Sequence, residues 1–206
     1  MGRPQSRHAR VGEIEGWAPA GLLDTYHDER HFAGGRALLQ TRAQVALRRG
    51  GDAAAEALRQ VVQELLVDEP AVRRVGALIA GTDIRYPPTG SDAHALAGAF
   101  APDLALHTGA GETSVAELMR SARPVFLDLA DRPDLREIAR DWQHRIDIVA
   151  ATTGHRPADA LLIRPDAHIA WAAGNDEPVE TAAPALRAAL SSWFGAPRQA
   201  SVSNSR

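Results

Sequence analysis

The chain has 206 residues, 45% of them apolar and 24% charged, but only 5% aromatic, so its core must rest on Ala, Leu, Val and Ile. Its formal charge is −3 and it has no Cys, which excludes disulfides, thiolate-held metals, iron–sulfur clusters and a Cys nucleophile. All 23 basic residues are Arg, so Schiff-base chemistry and a P-loop lysine are excluded too. The charge balance predicts no nucleic-acid partner. The polar, Arg-rich start Met1–Arg10 does not read as a signal peptide, and no run approaches the roughly 20 apolar residues of a membrane helix. A cytoplasmic location is the expectation, with no membrane association.

In chain order, residues 1–15 form an atypical N-terminus and 16–86 a helical segment. Pro19–Arg30 predicts a helix carrying Leu22, Leu23 and Tyr26 at helical spacing. Gly34-Gly35 is expected to weaken or bend it, and helicity resumes over Arg36–Arg48 until Gly50-Gly51. Asp52 is an N-cap for a helix whose stripe is Leu58, Val61, Val62, Leu65 and Leu66. Pro70 fits the first turn of the next helix, with Val72, Val75, Leu78 and Ile79 on its buried face. Tyr86-Pro87-Pro88-Thr89-Gly90-Ser91 reads as a linker.

From residue 92 to 195 the period changes. Strands are predicted at Asp103–His107, Pro124–Leu129 and Arg145–Ala150; between them lie a short helix capped by Thr113 or Ser114 and ending near Met119, and a helix at Leu135–Trp142. In Pro124–Leu129, Val125, Leu127 and Leu129 face one way, Phe126 and Asp128 the other. Ala160–Ile163 and His168–Trp171 flank the turn Arg164-Pro165-Asp166-Ala167 and form a hairpin. A last helix carries Ala182, Leu186, Leu190 and Trp193 on one stripe and stops at Gly195, and residues 196–206 make a flexible tail. The order β-α-β-α-β-β-α is that of a small mixed sheet with helices against it, the layout of a thioredoxin-like domain. The expected class is α+β: a helical segment, then a thioredoxin-like α/β domain lacking the redox Cys pair.

Chemistry-bearing patterns are sparse. His27 and His31 share a helix face at zincin spacing, but Asp28 stands where the metalloprotease Glu is needed and no third ligand is obvious, although Asp24 lies one turn back, so a solvated face is expected. Gly51-Asp52-Ala53-Ala54 imitates a flavin motif but is explained by the N-cap. Gly109-Ala110-Gly111 is a turn, and no Gly-x-Gly-x-x-Gly or Gly-x-Ser-x-Gly occurs. Asp128 and Asp147 are read as facing Arg or solvent rather than as a catalytic pair. His107, His144, His155 and His168 are scattered without a base-and-orienter pattern. No catalytic, cofactor-binding or metal-ligating residue is assigned.

Several segments together resemble a known family. Gly16-Trp17-Ala18-Pro19-Ala20-Gly21-Leu22-Leu23-Asp24-Thr25-Tyr26-His27-Asp28-Glu29-Arg30-His31 is similar to the helix after the flavin site in FAD-dependent aromatic hydroxylases, the class A monooxygenases of phenols and aromatic polyketides. Thr41-Arg42-Ala43-Gln44, Gly81-Thr82-Asp83-Ile84-Arg85-Tyr86, Pro124–Leu129, Arg145–Val149 and Leu161–Trp171 continue the likeness in the same order, out to Gly195. The resemblance implies a Cys-free thioredoxin-like C-terminal domain and a parent reaction using FAD, NAD(P)H and O₂. The family's flavin motifs and substrate-binding sheet fall upstream of residue 12 in this register and have no counterpart here. Phe32 replaces a common Pro, and Ala167 the turn Gly. Three readings follow. The first is a partial hydroxylase that binds no FAD or NAD(P)H by itself and is inactive alone. The second is a non-catalytic module that forms a homo-oligomer or docks on a flavin-binding hydroxylase partner. The third is a gene remnant, because codons suitable for Gly2–Arg7, read one nucleotide out of frame, give a family-like Asp-Ala-Leu-Asn-Leu-Ala.

Overall fold

A computed structural model of the chain describes residues 12–14, 16–19, 21–87 and 93–197. The linker from Pro88 to Ser91, the tail from Arg198 and most of residues 1–15 lie outside the described residues. The chain divides into two compact units. One is residues 27–86. The other combines the described residues up to Tyr26 with those from Pro87 onward.

In the first unit, helix α1 (Leu22–Arg48) enters from the second unit and runs unbroken through Gly34-Gly35. The two glycines do not interrupt it. Two glycines weaken a helix by about 1 kcal/mol each, but a 27-residue helix keeps its hydrogen-bond ladder across them. Arg59 donates to the Leu47 and Gly50 carbonyls, closing the C-terminal end of α1. Helix α2 (Ala53–Leu65) starts at Asp52, whose carboxylate accepts from the Ala55 amide at 2.8 Å, as the N-cap reading requires. Helix α3 (Glu69–Ala80) carries Pro70 in its first turn and ends on left-handed Gly81. Neither α2 nor α3 buries a side chain. This corrects the expectation of a buried face on α3: Val72 is 50% and Ile79 72% exposed. Arg36 pairs with Asp83 at 3.1 Å, and Phe32 meets Tyr86 edge-on, within the same unit.

The described residues of the second unit build a six-stranded sheet. Its strands are β1 (Ala105–Thr108), β2 (Gly111–Ser114), β3 (Val125–Asp128), β4 (Asp147–Thr152), β5 (Ala160–Ile163) and β6 (Ile169–Ala173). The order across the sheet is β2-β1-β4-β3-β5-β6, with only β3 and β4 parallel. Helix α4 (Val115–Leu118) follows β2, α5 (Pro133–Arg140) connects β3 to β4, and α6 (Val179–Phe194) closes the unit. The β1–β2 hairpin was not foreseen. Gly111-Glu112-Thr113-Ser114 is short, exposed at Gly111 and Glu112, and has no apolar alternation. It is a strand because β1 offers it an edge. Of the two expected caps, Thr113 and Ser114, it is Ser114 that caps α4, accepting from the Glu117 amide.

Central β3 is buried along its whole length, and its alternation sorts two cores. Phe126 joins Leu135, Ile138, Trp142, Ile146, Leu162, Leu186, Leu190 and Phe194 under α5 and α6. Val125, Leu127 and Leu129 join Leu106, Val115, Leu161, Ile163 and Ile169 on the other face. Each large apolar side chain buried this way contributes about 1.5–3 kcal/mol. The Arg164–Ala167 turn closes with Ala167 N–H donating to the Arg164 carbonyl at 2.9 Å, and Ala167 sits at φ +64°. A Cβ is strained there, so Ala167→Gly is expected to stabilise the unit by about 1 kcal/mol. That raises the thermal midpoint by about 2–4 °C. An unchanged or lowered midpoint would contradict the strain.

Candidate functional site

The parallel strand β3 delivers its chemistry at its carboxyl end. Asp128, the last residue of β3, is fully buried. Its carboxylate accepts from the amides of Ala130 at 3.1 Å and Arg132 at 2.9 Å, and pairs with the Arg136 guanidinium one turn into α5. Arg132 forks to Asp134 at 2.8 Å and Asp159 at 3.3 Å, and donates to the Glu177 carbonyl. Arg136 also meets Asp131, and Arg156 meets Asp159. The Arg132 hydrogen bond holds Asp134 below the ordinary carboxylate range. The result is a closed ion-pair network that ties β3, α5, β5 and the start of α6.

A second cluster sits at the β5–β6 turn. Arg164, Asp166 and His168 are nearly buried, with Arg164 held to Asp166 at 2.8 Å. The Arg164 guanidinium lies 4.1 Å from the Trp193 ring centre, and the His168 ring meets Phe100 edge-on. His168 Nδ1 is 3.3 Å from the Asp166 carbonyl oxygen and 3.5 Å from its carboxylate. Burial alone would raise the Asp166 pKa, but the His168 hydrogen bond and the Arg164 charge outweigh it and hold the group at about 2.

Between β6 and α6 runs a groove of about 900 Å³, walled by His94, Trp171, Glu177, Thr181, Ala185 and Ala189 among others. Two of its polar side chains, those of His94 and Glu177, are engaged with the backbone. His94 Nδ1 accepts from the Leu96 amide, and the Glu177 carboxylate from the Gly174 amide at 2.7 Å.

The residues weighed in the sequence do not converge. Asp128 and Asp147 lie at opposite ends of the β3–β4 ladder, since Val125 pairs with Asp147 and Asp128 with Ala150. Asp147 meets Arg123 at 2.9 Å, so both carboxylates face Arg as read. His27 and His31 stand exposed on α1. Among the described residues no cluster of three or more His, Asp or Glu is placed to hold a metal ion. What sequence reasoning missed is the Arg132–Asp159 link. Its two halves are 27 residues apart, and only the β3–β5 pairing brings them together.

In the helical unit the notable feature is apolar. Leu58, Val61 and Leu65 on α2 and Val72, Val75 and Ile79 on α3 are each between 36% and 72% exposed. Sustained apolar exposure of this kind marks an interface more often than a catalytic site.

Fold and site together define a thioredoxin-like unit without redox thiols, preceded by helices with uncovered apolar faces. The model of the aromatic-ring hydroxylase C-terminal family matches residues 94–197, and the chain belongs to that family. It is 38% identical over 190 residues to a 12-dehydrotetracycline 5-monooxygenase/anhydrotetracycline 6-monooxygenase of Streptomyces rimosus, over 89% of this chain and 36% of that one. It is 34% identical to a rifampicin monooxygenase of Streptomyces venezuelae, over 90% of this chain and 35% of the relative. Among solved structures, the anhydrotetracycline hydroxylase OxyS from Streptomyces rimosus superposes with a TM-score of 0.76 at 37% identity, over 91% of this chain and 38% of that one. CabE, an aromatic hydroxylase from angucycline biosynthesis, superposes with a TM-score of 0.75 at 40% identity, over 92% and 39%. The chain thus spans about a third of the length of the curated relatives it matches. No described helix is long and apolar enough to cross a membrane.

Proposed function

We propose that this chain supplies the C-terminal, flavin-free portion of an aromatic-ring monooxygenase acting on polycyclic, polyketide-type substrates, and that it is catalytically silent without a flavin-binding portion. The observation that carries this is the uncovered apolar face of α2 and α3 in a chain homologous to only about a third of each relative. The remaining two thirds of a relative is the part that would cover those helices and bring FAD, NAD(P)H and substrate together. The described residues do not fit the flavin. The sequence has no Gly-rich dinucleotide turn, and the β3–α5 turn is filled by Asp128. No catalytic step is therefore assigned to this chain's side chains. Its contribution is packing and support.

Purified protein is expected to be colourless and to oxidise no NAD(P)H when FAD and an aromatic substrate are added. Stoichiometric FAD retained through gel filtration would overturn the proposal. The uncovered helices carry a second expectation. Leaving one apolar stripe in water forfeits several kcal/mol, comparable to a domain's net stability. By itself the chain should therefore self-associate, most simply as a two-fold dimer, or leave residues 20–80 weakly protected from hydrogen exchange. Light scattering across a concentration series decides between these. A compact monomer at every concentration, with those helices strongly protected, would show that the chain needs no covering partner.

A further inference from the structure

We propose that the sheet unit carries a recognition surface for a Gly-Trp segment, built from Arg145, Gly195 and the carbonyls of Phe194 and Ala196, and that its partner is this chain's own residues 12–26. This non-covalent clasp joins the helical unit to the sheet unit independently of the covalent linker at residues 88–91. The described residues up to Tyr26 precede the helical unit in sequence, yet they pack with the sheet unit that follows it. Helix α1 runs unbroken from Leu22 to Arg48, so its first turn belongs to the clasp and the rest to the helical unit. The helical unit is therefore tied to the sheet unit at both of its ends, by a peptide linker at one and by the clasp at the other.

The segment is folded on itself. The amides of Trp17 and Ala18 both donate to the Gly12 carbonyl, at 2.9 and 3.0 Å. A Cβ at Gly12 would lie 2.9 Å from the indole, so the Trp17 ring rests on bare backbone. Gly16, at φ +74°, turns the chain just before Trp17 in a conformation open to glycine at no steric cost. The receiving surface is equally constrained. Arg145 donates to the carbonyls of Phe194 at 2.6 Å and Ala196 at 2.8 Å, and the buried Trp142 indole donates to that of Gly195, which fixes the chain after α6. With its N–H groups held by those carbonyls, the Arg145 guanidinium presents its face to the Trp17 ring, 5.1 Å from the ring centre. Gly195 has no side chain where the Trp17 carbonyl comes in, since a Cβ there would lie 2.1 Å from that oxygen. The surface thus selects an aromatic ring that follows a left-handed glycine. Nothing in the clasp involves flavin, so its failure and that of the proposed function are read in different experiments.

The test uses the full chain with a protease recognition sequence inserted between Thr89 and Gly90. After cleavage of the folded protein, the two pieces are expected to stay together through gel filtration. An excess of free peptide spanning residues 12–26 should release the N-terminal piece saturably, because the peptide competes for the same surface, and the same peptide carrying Trp17→Ala should not. In the cut chain Trp17→Ala should separate the pieces, whereas Trp17→Phe, which keeps a ring on the guanidinium, should hold them. Separation of the unaltered pieces on cleavage would overturn the clasp. Co-elution that neither Trp17→Ala nor the peptide weakens would overturn it too, because other contacts would then hold the units. The peptide arm needs no variant of the chain, so the result does not depend on whether Trp17→Ala folds.

Discussion

Gly195→Ala is expected to destabilise the sheet unit by about 2–5 kcal/mol, the sum of two effects. Gly195 follows the last turn of α6 at φ +75°, where a Cβ is strained by about 1–2 kcal/mol. A Cβ built there would also lie 2.1 Å from the Trp17 carbonyl oxygen, so the backbone before α1 must move, and overpacking of this kind costs about 1–3 kcal/mol. The surroundings cannot yield cheaply. The Gly195 carbonyl accepts from the buried Trp142 indole at 2.7 Å, and Arg145 holds the Phe194 and Ala196 carbonyls while its guanidinium lies over the Trp17 ring. Denaturant melts of the variant should show a lowered midpoint together with altered Trp fluorescence, since Trp17 and Trp142 both report on the join. A loss under 0.5 kcal/mol would mean that Trp17 does not pack there.

The second large effect is a pH dependence centred on Asp166. Its folded pKa, about 2, lies below the ordinary value of 3.8. The stabilisation is therefore fully present above about pH 4 and is lost as pH falls toward 2, because protonation then favours the unfolded chain. A depression of this size corresponds to roughly 2 kcal/mol for a group this buried. Asp166→Asn should remove that amount at pH 7 and flatten the acid limb of the stability curve between pH 4 and 2. Asp134, also held low by its Arg132 hydrogen bond, contributes a slope of the same sign that the variant retains. Parallel acid limbs in the two proteins would show that Asp166 is not held by Arg164 and His168.

The contrast between the two charged clusters shows how far local reading goes. The Arg164–Asp166–His168 cluster lies at one turn whose Pro-Asp centre is legible as a β-turn, while the strain at its fourth position, Ala167, comes from the structure's φ of +64°. The Asp128 cluster reaches from β3 to Asp159 at the head of β5, and no spacing rule joins residues that far apart. The same division holds for the strands. Val125–Asp128 announced itself by apolar alternation. Gly111–Ser114 did not, because its extended form is imposed by the neighbouring strand and not by its own side chains.

The sequence by itself determined the helix cap at Asp52, the α6 stripe, the β5–β6 hairpin and the kinship with aromatic-ring hydroxylases, and it narrowed the cap of α4 to Thr113 or Ser114. Each rests on side-chain type at short spacing, where local sterics and hydrogen bonds decide. It also ruled out thiol and lysine chemistry by composition alone. Only the tertiary structure decided which faces are covered. An apolar stripe such as Val72, Val75 and Ile79 has the pattern of a buried face, yet burial depends on there being a surface to meet, which no periodicity encodes. It likewise decided that α1 persists through two glycines, and that the turn after β3 is filled by Asp128, because both depend on the balance among many groups and not on the preference of one.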